Sequence, residues 1–337
     1  MPRVAVDAMG GDFAPQAVVE GVLEALEAFS DLTILLVGQP EKIHPYLKRR
    51  RVKRLEIIEA SQVVSMDEAP IGALRAKPDS SIRRAFDLVK NGEAEAVVSA
   101  GNSGAVVATG LFVLGRLSGV SRPAIATVLP TVKENAVLID AGANVDCKPH
   151  HLLQFAFMGA VFAKEILSRT NPKVGLLSIG EEGGKGNTLV KRTHKLLSSS
   201  TLNYVGNIEG RDIYRGEVDV IVCDGFVGNV CLKLSEGLAE ALMAMMLDEV
   251  RRKRSAQLGF ALARKALMNF KRRIDWRERG GAPLLGVEGV VIIGHGRSDA
   301  RAIRNAIRTA RDFIQQEVVV RLKEALSELA SPSGVAS

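Results

Sequence analysis

The chain has 337 residues, of which 47% are hydrophobic and 4% are aromatic. That apolar content is enough for a substantial core and excludes wholesale disorder. The net charge is +7, but the segment from Arg251 to Arg279 holds eleven basic residues against two acidic ones. The remaining 34 basic residues face 36 acidic ones, so the protein carries one basic arm and is not generally basic.

Short β-branched segments alternate with amphipathic segments from the start of the chain. Apolar runs predict nine strands, at 3–7, 33–37, 55–58, 96–99, 124–129, 136–140, 173–179, 218–223 and 290–293. Helical periodicity predicts helices at 16–29, 81–90, 151–167, 188–197, 227–249 and 298–329. Asp79 and Ser80 are placed to cap the second of these helices.

The alternation predicts an α/β fold in which helices cover both faces of a mostly parallel sheet, giving three α/β/α layers. We expect a single domain over residues 1–330, into which the basic arm is inserted as a helical segment at 251–280. Residues 331–337 read SPSGVAS, a run of mostly small residues with one proline, which predicts a disordered tail. The chain opens directly into a strand, so we expect no signal peptide.

One stretch without charges, residues 96–115, is long enough to span a bilayer. Its middle reads Gly-Asn-Ser-Gly, which favours a turn over a continuous apolar helix. The segment is therefore interpreted as a strand, a loop and a helix.

Five predicted strands are followed by loops that combine glycine with Asn, Asp or Lys, at 7–15, 99–104, 141–149, 180–187 and 224–229. Because ligands of parallel α/β folds bind where strands lead into helices, we expect these loops to share one rim. Glycine lets backbone N–H groups approach an anion, and the following helix start adds its positive end. Any single loop could be a plain tight turn, but the five together predict a cleft for phosphate or an oxyanion.

Several common catalytic signatures are missing. No strand is followed by G-x-G-x-x-G, and Lys185 is followed by glycine where a P-loop needs Ser or Thr. There is no G-x-S-x-G elbow for a serine nucleophile. Cys147, Cys223 and Cys231 lack metal-like spacing and are interpreted as buried reduced thiols, and no metal site is expected. The histidines are interpreted as structural.

The strings in these loops resemble the bacterial acyl carrier protein:phosphate acyltransferase family over residues 3–325. The matching strings are VDAMGGD at 6–12, SAGN at 99–102, GANVDCKP at 142–149, GEE at 180–182, KGN at 185–187, CDGFVGN at 223–229 and GGAPLLG at 280–286. Ser103 stands where the family pattern has Thr, which keeps the hydroxyl.

The resemblance implies a homodimer with a three-layer α/β/α fold related to isopropylmalate dehydrogenases and phosphate acetyltransferases. It implies reversible transfer of a fatty acyl group from acyl carrier protein to inorganic phosphate, giving acyl phosphate for phospholipid synthesis. It also implies no cofactor, and a cytoplasmic protein associated peripherally with the inner, anionic face of the cell membrane.

A thioester donor is already activated, so the enzyme must position phosphate and stabilise the oxyanion that forms. We expect Lys185 and the amides of 184–187 to contact phosphate or the oxyanion, and Asn229 and Asn102 to donate hydrogen bonds. The aspartates could orient these donors or accept a proton. The predicted catalytic residues are Lys185, Asn229 and Asp224, and the predicted substrate-binding residues are Asp7, Gly10, Gly11, Asn102, Ser103, Asn144, Asp146, Gly184, Gly186 and Asn187.

The basic arm has an apolar centre between cationic clusters. As one helix it would align Leu258, Leu262, Ala266 and Phe270 along a stripe, which is typical of a segment lying in an anionic membrane interface. The alternatives are a surface for acidic carrier protein, a dimer interface and a core helix. The predicted membrane or carrier-protein contacts are Leu258, Phe260, Leu262, Lys265 and Lys271.

Two other classes of function remain open. A dehydrogenase on a related fold would need a nucleotide fingerprint or a metal carboxylate cluster, and the fingerprint is absent. A nucleic-acid-binding protein could use the basic arm, but the arm lacks aromatic residues interleaved for base stacking, so no nucleic-acid partner is expected.

Overall fold

The structure is a computed structural model that describes residues 1–47 and 52–330. Strands β1 to β11 span Arg3–Asp7, Thr33–Gly38, Leu55–Glu59, Ala96–Ser99, Ala124–Pro130, Asn135–Ile139, Val174–Leu177, Tyr204–Ile208, Val220–Val222, Ala282–Leu285 and Val290–Ile293. Helices α1 to α12 span Gln16–Ala28, Pro40–Leu47, Pro70–Ala76, Ser81–Lys90, Ser103–Thr109, Pro149–Glu165, Thr188–Ser198, Gly225–Arg252, Arg254–Leu262, Arg264–Ile274, Ala300–Gln315 and Val318–Ala330. The predicted tail at 331–337 lies outside the described residues.

All these strands join one sheet in the order β3-β2-β1-β4-β11-β10-β5-β6-β9-β7-β8. Seven of the ten pairings among the described strands are parallel. Side chains alternate across the sheet: Val4 and Val6 pack against α1 and α11 on one face, whereas Ala5 packs with α4 and α5 on the other. The predicted mostly parallel sheet with helices on both faces is confirmed.

The predicted single rim of loops is wrong, because the sheet changes direction in its middle. Strand β10 is antiparallel to β11 and to β5, and β5 is antiparallel to β6. Strands β1, β4 and β11 therefore run opposite to β6, β9 and β7. The loops at 7–15 and 99–104 share one edge, and the loops at 141–149, 180–187 and 224–229 share the other.

Several segments differ from the prediction. Strands β8 and β10 were not predicted, and Pro283 in β10 weakens the strand signal. The single helix expected at 298–329 is two helices, because Glu317 takes a positive φ of 50° between α11 and α12. The arm is likewise two helices, α9 and α10, which are separated at Ala263, where ψ is 1°.

The uncharged stretch at 96–115 forms β4, α5 and one turn of wider helix at Gly110–Leu114. Within residues 1–47 and 52–330, no helix combines the length and the apolar character that crossing a bilayer requires.

Candidate active site

Asp7, at the end of β1, is fully buried and holds the first loop in place. Its Oδ2 accepts a hydrogen bond from Ser99 Oγ at 2.7 Å, and its Oδ1 accepts one from Met9 N at 3.1 Å. Burial raises the pKa of Asp7, while these hydrogen bonds oppose the shift. A Cβ on Gly10 would lie 2.6 Å from both Asp7 Oδ2 and Gly101 N, so only glycine fits this crossing of two loops. Asp7 thus shapes the loop.

Asn102 caps α5 and fastens a neighbouring segment. Its Oδ1 accepts a hydrogen bond from Ala105 N at 3.0 Å, and its Nδ2 donates to the carbonyl oxygens of Met66 and Glu68 at 2.9 and 3.0 Å. Both ends of the amide are therefore engaged within the protein. Ser103, next to it, is exposed. That these two residues contact substrate stays a prediction.

Asp140, which follows β6 directly, organises the loop at 141–149. Its Oδ1 accepts hydrogen bonds from the backbone N–H groups of Ile125, Gly142 and Ala143 at 2.9–3.1 Å. Its Oδ2 accepts two more from Asn144, through the backbone N at 2.7 Å and through Nδ2 at 2.8 Å. Sequence reasoning treated Asp140 only as the end of a strand. The available signal was a carboxylate directly after a buried strand and before Gly-Ala-Asn.

Helix α8 begins against this loop. Gly225 N donates to Asn144 O at 2.7 Å, and Asp224 caps the helix by accepting from Val227 N at 2.9 Å. A Cβ on Gly228 would lie 1.9 Å from the carbonyl oxygen of Asp140, which fixes the helix against β6. One residue further along, Asn229 is exposed and lies beside Gly142. Asn144, Asp224 and Asn229 therefore lie close together, and Asp146, in the same loop as Asn144, is exposed. That these residues form one substrate site stays a prediction.

The third loop of this edge joins β7 to α7. Asn187 caps α7 by accepting from Val190 N at 2.9 Å, and Gly186 takes a φ of +93°, which favours glycine. Lys185 is exposed, as is Gly184. Ser178 was missed by sequence reasoning: its Oγ is buried without a hydrogen-bond partner within the described residues. That hydroxyl lies 3.1 Å from where a Cβ on Gly186 would be, directly beneath the loop.

None of the three cysteines is activated as a nucleophile. Burial, followed by the charges of Asp140 and Asp224, raises the pKa of Cys147 to about 12. Burial also raises the pKa of Cys223 and of Cys231. Thiols with raised pKa values hold little thiolate at neutral pH, so these side chains are poor nucleophiles.

Helix α8 connects the two edges of the sheet. Leu232 packs against the hydrophobic clusters of both halves, and Nζ of Lys233 lies 3.3 Å from Nε2 of His295 in the loop after β11. The loop after β11 in turn contacts the first loop, because Asp12 N donates to Gly296 O at 2.8 Å. A series of contacts therefore leads from Gly142 through Asn229 and Lys233 on α8 to the loops that hold His295 and Asp12.

The same fold occurs in solved phosphotransacetylases. The phosphotransacetylase from Streptococcus pyogenes superposes with a TM-score of 0.61 and 19% sequence identity, covering 93% of this chain and 94% of that chain. The EutD phosphotransacetylase from Staphylococcus aureus gives a TM-score of 0.59 and 16% identity, covering 96% and 94%. These likenesses define the class of fold, an α/β fold of the kind found in phosphotransacetylases.

Sequence comparison is more specific. A family model described as fatty acid synthesis protein matches residues 2–321, and the chain belongs to that family. It is 53% identical over 328 residues to the phosphate acyltransferase of Geotalea uraniireducens, covering 97% of this chain and 94% of that protein. It is 51% identical over 333 residues to the phosphate acyltransferase of Heliobacterium modesticaldum, covering 98% and 99%. The chain is an acyltransferase, and its family supports acyl transfer that involves phosphate.

Proposed function

We propose that this protein transfers a fatty acyl group reversibly from acyl carrier protein to inorganic phosphate and so makes acyl phosphate for phospholipid synthesis. The observation that carries the proposal is the loop at 180–187. There an exposed lysine, a glycine with positive φ and the capped start of α7 stand over the buried hydroxyl of Ser178, which has no hydrogen-bond partner among residues 1–47 and 52–330. Backbone amides, an ammonium group and a hydroxyl are donors suited to phosphate.

The chemistry needs little from the protein beyond positioning and charge stabilisation. Phosphate is largely ionised at neutral pH and can attack the thioester carbon itself. Asp7, Asp140 and Asp224 all use carboxylate oxygens to hold backbone groups or side chains. We therefore assign them to positioning, and assign Lys185 and Asn229 to contact with the reacting groups.

The arm supports a further part of the proposal, peripheral contact with an anionic membrane at the cytoplasmic face. Helices α9 and α10 contain no buried residue, and Leu258 and Leu262 are 66% and 83% exposed. Lys265 and Lys271 are exposed beside them, whereas Phe260 is half-buried. Exposed apolar groups flanked by cations fit an anionic bilayer interface, and the same cations fit acidic carrier protein.

We also propose a homodimer formed through α8. Large apolar side chains stand exposed along one stripe of this helix at intervals of four residues, namely Phe226, Val230, Leu234, Leu238 and Leu242. A contiguous apolar stripe of this kind is typical of a protein interface. Light scattering of a Leu234→Glu, Leu238→Glu variant tests it: we expect a monomer, and an unchanged dimer would remove α8 from the interface.

The transfer itself is tested by incubating the protein with acylated carrier protein and inorganic phosphate. We expect phosphate-dependent release of free carrier protein together with an acyl phosphate, which hydroxylamine traps as a hydroxamate. Sulfate in place of phosphate should give no product. If acyl-coenzyme A replaces the carrier protein with equal efficiency, the proposed donor is wrong, and if phosphate has no effect, the proposed reaction is wrong.

A further inference from the structure

His295 has a defined tautomer because of its place in the loop after β11. Its Nδ1 accepts a hydrogen bond from the backbone N of Arg297 at 3.0 Å. A backbone N–H can only donate, so the Nδ1 lone pair is in use and the ring proton of neutral His295 lies on Nε2. Burial, followed by the charge of Lys233, lowers the pKa of His295, in keeping with a neutral ring.

Nε2 of His295 faces another donor, since Nζ of Lys233 lies 3.3 Å away. A charged ammonium group cannot accept a hydrogen bond, and an imidazole nitrogen that carries its proton cannot accept one either. Both groups can instead donate to one shared oxygen, because donors at this separation can each reach it at about 2.9 Å. The two side chains are thus arranged as a convergent pair of donors.

Neighbouring side chains keep the pair in position. The ring of Trp276 lies against that of His295 with 5.0 Å between centroids. Oε2 of Glu236, whose side chain is 16% exposed, lies 3.2 Å from Nζ of Lys233 and takes one of its three hydrogens. Lys233 keeps two hydrogens for other acceptors, and it follows Asn229 by one helical turn, on the surface already assigned to the site.

The surrounding charges favour a neutral oxygen over an anion. Lys233 is paired with Glu236, and Arg297 with Glu240 at 3.3 Å. The negative charge of Asp12 also opposes the lowering of the pKa of His295. The described charges that act on His295 are therefore balanced, two basic (Lys233 and Arg297) and two acidic (Glu236 and Asp12). This balance leaves no excess of positive charge to hold a phosphate dianion, whereas a carbonyl oxygen would accept from both donors and would be stabilised further as it gains negative charge.

We propose that Lys233 and His295 donate hydrogen bonds to the thioester carbonyl oxygen of the acyl donor. This assignment rests on the proposed function. As a phosphate oxygen forms its bond to the carbonyl carbon, the carbonyl electron pair moves onto the oxygen held by the two donors. Collapse restores the carbonyl and breaks the carbon–sulfur bond, and the proton of the hydrogenphosphate ends on the released thiol. The pair thus acts as an oxyanion hole, separate from the phosphate contacts at Lys185.

The test compares Lys233→Met and His295→Phe with Lys233→Arg and His295→Gln, which keep a donor, and with Lys42→Met as a matched control on distant α2. We expect kcat to fall about 100-fold in the first two variants, as for loss of one oxyanion-hole donor. We expect partial recovery in the second two, and an unchanged KM for phosphate in all of them. Melting temperatures and circular dichroism identify any variant that fails to fold. If a donor-removing variant fails to fold, the kcat of the donor-keeping variant at the same position tests the assignment.

Three results would overturn the assignment. One is a raised KM for phosphate at unchanged kcat, which would make the pair an anion site. Another is a loss of kcat that disappears when the donor is a short acyl thioester without the carrier protein's prosthetic group. The two donors would then bind an amide oxygen of that group and not the thioester carbonyl. The third is normal kinetics in both donor-removing variants while the wild-type protein makes acyl phosphate. If the wild-type protein makes none, it is the proposed function that fails.

Discussion

Asn144 donates two hydrogen bonds to Asp140, from its backbone N at 2.7 Å and from its side-chain Nδ2 at 2.8 Å. Its carbonyl oxygen accepts a hydrogen bond from Gly225 N at the start of α8. The position of Asn229 therefore depends on a carboxylate that itself lies beneath the loop. An uncompensated change at Asp140 should displace the loop and the helix start together.

Asp140→Asn should lower the free energy of unfolding by about 2 kcal/mol, because its amide nitrogen would face two buried donors of Asn144. The matched control is Asp146→Asn, at an exposed carboxylate of the same loop, which should change stability by less than about 0.5 kcal/mol. Urea unfolding measures both. Equal stabilities of the two variants would contradict the role given to Asp140.

Lys185→Ala should reduce phosphate-dependent turnover about 100- to 1,000-fold, because it removes a charge-assisted contact to phosphate or the oxyanion. Lys195→Ala, at an exposed lysine within α7, serves as the control and should keep wild-type kinetics. Steady-state kinetics against phosphate, with circular dichroism to confirm the fold, is the measurement. Normal kinetics in Lys185→Ala would place the phosphate elsewhere.

Joint replacement of Cys147, Cys223 and Cys231 by Ala or Ser should leave turnover within about tenfold of wild type, whereas losing an essential nucleophile costs about 10⁴-fold or more. The raised pKa values of these thiols are the reason for this expectation. Mass spectrometry of wild-type protein quenched during turnover provides a second readout. An acylated cysteine found there would refute direct attack by phosphate.

Changing Phe260 and Leu262 to Glu should abolish flotation with anionic vesicles, because it places charge in the apolar centre of the arm. Each nearby Lys or Arg contributes about 1 kcal/mol of attraction that salt screens, so binding of the wild type should weaken as salt rises. The control carries Glu at Val205 and Val320, which are exposed elsewhere. Persistent flotation of the first variant, or dissociation of its dimer, would exclude the arm as the anchor.

His151 should make the fold sensitive to acid. Burial, with the charges of His150, Arg122 and Lys148, lowers the pKa of His151 from 6.5 to about 4. Below pH 6.5 the unfolded chain binds a proton at His151, whereas the folded protein does not bind it until the pH approaches 4. The neutral His151 ring therefore contributes fully to the free energy of unfolding above pH 6.5, and this contribution is lost as the pH falls toward 4. Between pH 7 and 4.5 wild type should lose about 2 kcal/mol more than His151→Gln. Parallel pH dependences of urea unfolding would contradict this.

The sequence was informative where structure is local. The bounds of β1, β4 and β11 follow their apolar runs, and Ser80 caps α4 as its position indicated. Relationships across the sheet were not accessible in this way. The antiparallel pairing of β5 with β6 reverses the second half, whereas β10 is antiparallel to both of its neighbours and leaves β5 running in the same direction as β11. The pattern of β10, four residues with a proline, gave no sign of a strand between β11 and β5.

The residues of the candidate site also fall into two groups, those that local sequence indicated and those brought together only by the fold. Glycine-rich loops after strands pointed to Asn144, Asp224 and Asn229, which do come together, because each lies within a few residues of its strand. Lys233 and His295 are 62 positions apart and meet only because α8 crosses between the halves of the sheet. No spacing rule connects two such residues, since the contact depends on the direction of a helix axis.

Helix α8 is 28 residues long, which corresponds to a rod of roughly 40 Å. All three native thiols lie in or near its first turns or in the loop against which it begins. A thiol-free protein given one new cysteine through Arg252→Cys could therefore carry an environment-sensitive fluorophore at the opposite end of this rod. Bilayer contact and turnover could then be recorded simultaneously on one labelled molecule, and the order of the two events in each catalytic cycle could be timed.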